Sequence, residues 1–429
     1  LLFDEAREFF ARAVEADPDF AMAYYYWALT ATTTSEFQDR LDKAVELADN
    51  ASQPERLIIM SLKAGNDDDA ALARQHLEEL VKLLPEGKRA HYFLGNFYYG
   101  QQEWASAEEE YQTSVGIDPD FAPVYNQLGY LYSNLDRYEE AIEALRKYSQ
   151  LKPEDPNPHD SMGEIYLWMG DHENSIKEYN NSLQLDPDFV VSLAGLGHNR
   201  VFMGEFDNAR AEYAKILEHA GSVADSNTAY FWEAISYLHE NKHDQAVELL
   251  RKQLDFARAH NDIYVQANIY GQIATIYREK GDSEKALSNA GQMRDIAMRP
   301  EVEAGPREGY LRFGAVTEAI VAARQGKQEM ANSKFEEFRK SAEASQNSIV
   351  MKGIHGLKGM IAYWSKDYET AIDELKQANL LDPMAKYYLG LAYQKGGQEE
   401  KAKQVFSEIA AFNRNSLSYS LVLPAVKTM

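Results

Sequence analysis

From Lys88 onward, apolar side chains recur at helical spacing in short blocks divided by polar turns. Leu94, Phe97 and Tyr98 mark one such block within 88–100, and Trp104, Ala107, Tyr111 and Val115 mark the next within 104–115. Gly100-Gln101-Gln102 predicts the turn between them, and Asp118-Pro119-Asp120 predicts the end of the second helix. Proline has no N–H to continue a helix, yet its fixed φ suits the first turn of the following one. The predicted unit is therefore helix–turn–helix, and it recurs. Pro85, Pro119, Pro153 and Pro187 stand 34 residues apart, with Gly221 one interval farther. Gly95, Gly129, Gly163 and Gly197 keep the same step, as do Tyr98, Tyr132 and Tyr166 until Arg200 breaks the series. Ala73, Ala107, Ala141, Ser175 and Ala209 form a third column that is always small. Columns in phase over five units exclude compositional bias and predict an all-α stack of repeats. Glycine in a helix middle lowers helix propensity, so the glycine column predicts close approach of a neighbouring helix.

At these residues the chain resembles the tetratricopeptide repeat family, whose unit carries an aromatic, then Leu-Gly, then Tyr on its first helix, and Ala, an aromatic and Ala on its second, closed by Pro. Unit 88–121 matches through Leu94, Gly95, Tyr98, Ala107, Tyr111 and Pro119, and departs at His91 and Ser114. The following unit matches through Tyr125, Leu128, Gly129, Tyr132, Ala141 and Pro153. Near the end, Gly359, Ala371, Ala378 and Pro383, then Leu389, Gly390, Tyr393, Ala402 and Phe406, keep the pattern. The resemblance implies an α-solenoid of about twelve helix-turn-helix repeats forming a right-handed superhelix. It specifies a fold and leaves the function open.

The array is divided by its irregularities into a regular part (1–221), longer degenerate pairs (222–310) and C-terminal units with a capping tail (311–429). Residues 219–227, 298–309 and 341–350 are rich in Gly, Pro, Ser or Asn and read as longer loops. Asp4 to Pro18 matches a second helix without its first, which predicts that Phe3, Phe9 and Phe10 are partly uncovered and that further residues precede Leu1. Self-association through that first helix is a corollary. At the other end, 413–429 reads as a short amphipathic tail that caps the final pair. Lys-Ala-Val-Glu-Leu at 43–47 and Asn-Ser-Leu-Ser-Tyr at 415–419 make the layout similar to exported bacterial members of the family. A related resemblance is to the repeat-rich C-terminal halves of membrane-anchored bacterial regulators. The first likeness implies a periplasmic or otherwise exported protein, with a cytoplasmic one as the alternative. The second implies a ligand-sensing or oligomerising segment of a larger chain.

Composition narrows the partners. Lys plus Arg number 44 against 68 Asp plus Glu, a formal net charge of −24, so phosphate backbones and anionic lipid are repelled and no nucleic-acid partner is expected. With 45% hydrophobic residues the chain has the means to bury a core, while no apolar run reaches bilayer length, so direct membrane insertion is not expected. The absence of cysteine removes disulfides and thiolate chemistry. His239-Glu240-Asn241-Lys242-His243 spells the H-E-x-x-H zinc pattern, but that chemistry needs both imidazoles on one face of a continuous helix. The repeat register ends a helix at His239 and puts His243 in the turn, so both are expected as solvent-facing turn histidines. No phosphate-binding loop, nucleophile elbow or dinucleotide fingerprint occurs. No catalysis, cofactor or metal ion is therefore expected. His91, His159 and His355 fall in the aromatic slot of the repeat and are assigned to packing.

Comparison between units separates packing from display. Beside the constant glycine column, positions 96, 130, 164 and 198 read Asn, Tyr, Glu and His, and positions 92, 126, 160 and 194 read Tyr, Asn, Asp and Ala. The two columns are i and i+4 on one helix and make one stripe. By resemblance, that stripe faces the concave groove in which the family holds extended peptides or partner helices. It would carry Tyr92, Asn96, Tyr99, Asn126, Gln127, Tyr130, Asp160, Glu164, Trp168 and His198, followed by Phe231 and Trp232. Amides donate and accept, so Asn96, Asn126 and Gln127 suit a peptide backbone, and the aromatic side chains supply contact area at low entropic cost. The family's carboxylate clamp for chaperone tails is not reproduced: Tyr92 stands where Lys is required, Gln127 where Asn is, and Asn157 and Ser161 where the basic pair is. The expected partner is a protein or peptide, basic or neutral rather than acidic.

Overall fold

The computed structural model describes residues 3–429, with side chains from Glu5 onward. Among the described residues there are 24 α-helices, one short 3-10 turn and no strand. The chain divides into two compact units, Leu1–Asn199 with Ala214–Ser226, and Arg200–Tyr213 with Asn227–Met429.

Unit 1 begins with α1 (Phe3–Ala16) and continues in pairs: α2 (Ala21–Leu29) with α3 (Thr34–Leu47), α4 (Gln53–Asn66) with α5 (Ala70–Leu83), and α6 (Lys88–Gly100) with α7 (Trp104–Ile117). There follow α8 (Ala122–Asn134) with α9 (Tyr138–Leu151), and α10 (Asn157–Trp168) with α11 (His172–Leu185). The boundary between the units runs through α12 (Val190–Phe202), α13 (Phe206–His219) and α14 (Val223–His239). Unit 2 goes on with α15 (His243–Ala259), then α16 (Ile263–Lys280) with α17 (Ser283–Ala297) and α18 (Ala304–Arg324) with α19 (Gln328–Ser345). It ends with α20 (Ser348–Trp364) and α21 (Tyr368–Leu375), α22 (Pro383–Lys395) and α23 (Glu399–Ala410), and α24 (Leu417–Val426). Eleven helical pairs thus lie between α1 and α24, in line with the dozen expected.

The turn inside each pair has a fixed construction. Asp68, Gln102, Asp136, Gly170 and Gly204 all adopt positive φ, between 57° and 78°, and they stand 34 residues apart. In this left-handed step the next N–H reaches back to a carbonyl five residues earlier: Glu103 to Tyr98 at 2.9 Å, Arg137 to Tyr132 at 2.8 Å, Asp171 to Tyr166 at 2.9 Å and Glu205 to Arg200 at 2.8 Å. This is a Schellman-type closure that satisfies orphan carbonyls at the helix end. The repeat therefore has a backbone column whose side chains (Asp, Gln, Asp, Gly, Gly) share tolerance of φ > 0 and little else.

The small column is the floor of the core: Ala73, Ala107, Ala141, Ser175 and Ala209 are 0 to 3% exposed. Around it pack Tyr111, Leu128, Leu131 and Leu145 in the middle of unit 1. In unit 2, Leu357, Leu375, Tyr388, Leu389 and Phe406 form the corresponding layer.

The stretches read as long loops are mostly helix. α14 starts at Val223, α18 at Ala304, and α19 runs to Ser345 with α20 resuming at Ser348. Their polar residues act as caps: Ser222 Oγ accepts from Asp225 N at 3.1 Å, and Asn347 Oδ1 accepts from Ile349 N and Val350 N at 3.0 and 3.1 Å. The extra residues lengthen helices instead. Those from α14 to α20 have 15 to 21 residues, against 12 to 14 from α6 to α13. On α1, Phe9 is 63% exposed, whereas Phe10 stacks on Tyr26 at 5.5 Å; the side chain of Phe3 lies outside the described residues. No helix among the described residues is long and apolar enough to cross a membrane.

Candidate functional site

The stripe residues of unit 1 sit on successive first helices: Tyr92, Asn96 and Tyr99 on α6, Asn126, Gln127 and Tyr130 on α8, Asp160, Glu164 and Trp168 on α10, and His198 on α12. All are half-buried. They differ from the free display expected of a variable surface, because side chains of adjacent repeats bond across the stripe. Tyr130 donates its hydroxyl to Glu164 Oε2 at 2.8 Å and to Ser161 Oγ at 3.2 Å. Ser161 Oγ donates to Asn126 Oδ1 at 3.0 Å, Asn134 Nδ2 donates to the Tyr99 hydroxyl at 2.9 Å, and Ser192 Oγ donates to Asp160 Oδ1 at 2.7 Å. Each of these links spans 31 to 35 residues, one repeat. Tyr130 donates forward to the next unit, whereas Ser161, Asn134 and Ser192 donate back to the preceding one, so the stripe is tied together in both directions.

The rings form a parallel set of contacts. Tyr92 meets Phe121 edge-on at 5.4 Å, Tyr99 meets Trp104 at 5.4 Å, and Tyr130 tilts against Trp168 at 5.9 Å. Burial, with Glu164 and Asp160 nearby, holds the Tyr130 phenol well above its ordinary pKa, so it remains a donor. The Asp160 carboxyl is pushed up to about 7, chiefly by burial, with the neighbouring Glu164 adding to it and the Ser192 hydrogen bond opposing it. Beside Asp160 a cavity of about 590 Å³ is lined by Asn157, Phe189, Val190, Thr30 and His219.

Three amides on this face differ in what they have left to give. Asn96 accepts the Tyr111 hydroxyl at 2.9 Å and Asn126 accepts Ser161, so their oxygens are used and their NH2 groups have no partner among the described residues. Gln127 makes no side-chain hydrogen bond there at all. Phe231 and Trp232, on α14 in unit 2, contact each other at 4.8 Å and pack on the cluster of Ile235, Leu238 and Leu250.

The helix does stop inside the H-E-x-x-H segment: α14 ends at His239, Asn241 has φ 58°, and α15 begins at His243. His239, however, is not a solvent-facing turn residue. Its ring lies 5.9 Å from Phe202 and 6.1 Å from Tyr419, and Nε2 is 2.9 Å from Asn415 Oδ1. Burial lowers its pKa to about 4. The reason is the return of the C-terminal segment over the end of α14, which repeat register alone does not reveal. Among the described residues no group of three or more His, Asp or Glu side chains is placed to hold a metal ion.

The three histidines of the aromatic slot share one construction. Nδ1 of His91, His159 and His355 lies 2.6, 2.7 and 2.7 Å from Glu110, Glu178 and Glu374, each 19 residues ahead. The repeat pattern places these histidines in a packing slot and by itself says nothing of the carboxylates that meet them. The signal was present in paired columns: where Tyr125 replaces the histidine, Ala144 replaces the glutamate.

In unit 2 the first helices carry a buried charged cluster. Glu279 accepts from Arg278 Nε at 2.8 Å, from Arg324 Nη2 at 3.1 Å and from the Tyr388 hydroxyl at 3.3 Å. Arg324 also donates to the Arg278 carbonyl and stacks over Trp364 at 4.6 Å. Burial raises the Glu279 carboxyl, but the two guanidinium groups more than offset it and hold it below its ordinary value.

Sequence models of the tetratricopeptide repeat match residues 63–121, 122–155, 159–189, 195–262 and 384–416, more than half of the chain. No curated protein sequence matches it. Among solved structures, a tetratricopeptide repeat protein from Parabacteroides merdae ATCC 43184 is 16% identical with a TM-score of 0.41, over 62% of this chain and 99% of that one. PilF of Pseudomonas aeruginosa is 21% identical with a TM-score of 0.37, over 50% and 94%. YrrB, described as having an unusual peptide-binding site, is 17% identical with a TM-score of 0.29, over 43% and 93%. These are likenesses of fold, and they transfer no residue roles. With its glycine, small-residue and left-handed turn columns in phase, and the repeat models aligned to the same helices, the chain belongs to the tetratricopeptide repeat family.

Proposed function

We propose that the chain is a non-catalytic interaction scaffold that holds a peptide or protein partner against the first-helix stripe of unit 1. The observation that carries this reading is the set of unspent donors on a half-buried, otherwise bonded face. Asn96 and Asn126 keep free NH2 groups because Tyr111 and Ser161 occupy their oxygens, and Gln127 keeps both its donors and its acceptor. Amide donors held in place by their neighbours suit the carbonyls of an extended backbone, and they recognise it without reading its sequence. The aromatic contacts of Tyr92, Tyr99 and Tyr130 supply apolar area between them. Asp160 and Glu164 on the same stripe, in a chain of net charge −24, favour a neutral or basic ligand.

The test is capture of partners by cross-linking from an extract of the source cell, with wild type and the double variant Asn126→Ala/Gln127→Ala. These two side chains are chosen because Tyr130 also supports the fold through Glu164. The expected outcome is a captured protein that is lost with the variant while the variant stays folded, its thermal midpoint lowered by no more than the single Ser161–Asn126 bond given up. Equal capture by both proteins removes the stripe as the working surface.

A further inference from the structure

The pairing that joins His91, His159 and His355 to their glutamates is absent from one repeat, and a cavity stands in its place. Unit 122–155 has Tyr125 at the histidine position and Ala144 at the glutamate position. Tyr125 keeps half of the arrangement: its hydroxyl donates to the Pro119 carbonyl at 2.8 Å, as His91 Nε2 meets the Pro85 carbonyl at 2.9 Å in the preceding repeat. The other half is missing, because the methyl group of Ala144 does not fill the space that a glutamate side chain fills in the neighbouring units. A cavity of about 500 Å³ opens there between α7, α8 and α9, floored by Val115, Leu128, Ala144 and the rings of Tyr125 and Tyr132. That volume lies in the range of small-molecule sites. Tyr125, Leu128 and Tyr132 recur at i, i+3 and i+7, on the side of α8 away from Asn126 and Tyr130. The cavity is therefore separate from the stripe.

Its rim is equipped for an anion. In unit 159–189 the Glu178 carboxylate is held by His159 Nδ1 at 2.7 Å and accepts from Asn181 Nδ2 at 3.2 Å. One repeat earlier the residue at the Asn181 position is Lys147, so a cation stands where the donor to the missing carboxylate would be. Lys147 lies 3.6 Å from the largely exposed Asp120, beyond direct hydrogen bonding. Arg146 beside it is exposed and bonds to nothing among the described residues. Of the two glutamates on the lining, Glu140 is committed to Arg137 at 2.6 Å, which leaves Glu143 to oppose two cations.

We propose that this cavity binds a small carboxylic acid with an apolar body. The body takes the space left by the missing glutamate side chain, and the carboxylate takes the place of its charge against Lys147 and Arg146. Charge-assisted bonds are stronger than neutral ones, so the acid is preferred to its neutral amide. The net charge of −24 repels anions in general, which restricts the site to acids whose apolar part is held as well.

The test uses the full chain with phenylacetate as the probe, followed by ligand-observed saturation-transfer NMR and by titration. Wild type should bind it with a dissociation constant in the millimolar range or tighter, and should bind phenylacetamide at least about tenfold more weakly. Lys147→Gln leaves the floor intact and should weaken phenylacetate by about tenfold without affecting the amide. The double variant Tyr125→His/Ala144→Glu rebuilds the filled repeat and should abolish binding, whereas Asn126→Ala/Gln127→Ala on the other side of α8 should leave it intact. Where the double variant does not fold, the comparison of acid and amide on Lys147→Gln decides. Equal binding of acid and amide, undiminished binding to the folded double variant, or no binding of phenylacetate to wild type overturns the proposal. Binding of a peptide that ends in a free C-terminal Phe, without binding of phenylacetate, assigns the cavity to the chain end of a protein partner and likewise overturns it.

Discussion

Gly390 on α22 lies against the ring of Phe406 on α23 so closely that a Cβ placed on the glycine would stand 2.4 Å from Phe406 Cε1. The same sixteen-residue relationship joins Gly95 to Tyr111, Gly129 to Leu145, Gly163 to Tyr179 and Gly359 to Leu375, with Cβ approaches of 2.6, 2.7, 2.9 and 2.5 Å. Glycine is thus kept in these helices by the large side chain opposite, at the expense of helix propensity.

Two opposite effects of one substitution follow. Gly390→Ala should destabilise by about 1–3 kcal/mol, because overpacking forces Phe406 or the backbone to move. Gly291→Ala, in the middle of α17 with nothing within 4 Å of the new methyl, should stabilise by about 1 kcal/mol through helix propensity alone. Urea denaturation of both variants checks this. Equal changes of the same sign would remove the packing explanation for the glycine column.

The His–Glu pairs give a prediction about coupling. His91 bonds to Glu110 through Nδ1 and to the Pro85 carbonyl through Nε2, at 2.6 and 2.9 Å. His91→Tyr alone should cost roughly 1–3 kcal/mol by leaving a half-buried carboxylate without its partner. The double variant His91→Tyr/Glu110→Ala copies the pair found at Tyr125 and Ala144 and should recover much of that loss. A double-mutant cycle by thermal or urea unfolding measures the coupling, and strictly additive losses would mean that the two side chains act independently.

These cases show what was legible in the sequence. The glycine, proline and small-residue columns gave the helices, their pairing and the family, since each is tied to one repeat and reads out at a fixed interval. Interactions between columns were harder to see. The Tyr130–Glu164 and Ser161–Asn126 bonds depend on which two residues meet one repeat apart, and a variable column looks free until its partner column is known. The surroundings of His239 are more distant still, completed by Phe202 and by Asn415 and Tyr419, 176 and 180 residues ahead of it, which repeat register does not reach. The Ser- and Asn-rich junctions look like loops in the sequence because the same residues that favour turns also cap helices.

The Glu279 cluster links charge to pH. The Glu279 carboxyl is held below its ordinary value of 4.5 in the folded protein, so the stability it contributes is present above that value and is lost as pH falls through its folded pKa. Arg324→Met removes one of the two guanidinium groups and should cost about 3–5 kcal/mol at pH 7, the loss typical of breaking a buried pair. The difference from wild type should shrink on acidification, since a protonated Glu279 no longer needs the partner. Unfolding free energies of both proteins between pH 7 and pH 4 test this, and a pH-independent difference would assign the loss to packing against Trp364 instead.

Asp160 behaves in the opposite sense. Its folded pKa is about 7 against an ordinary value of 3.8, so between these values the folded state holds a proton that the unfolded state has released. Stability therefore falls as pH rises through this window, and it is lowest once Asp160 is ionised beside Glu164. Asp160→Asn keeps an oxygen that accepts from Ser192 and removes the ionisation. The variant should match wild type near pH 4 and exceed it by on the order of 2 kcal/mol at pH 8, allowing for partial solvent screening of a half-buried group. Parallel stability curves for the two proteins across that range would show that the carboxyl is already ionised at little cost. The cavity beside it would then present a fixed negative charge to any ligand at every pH above 4, whereas a shifted Asp160 makes that charge, and with it the attraction for a basic ligand, appear only near neutrality.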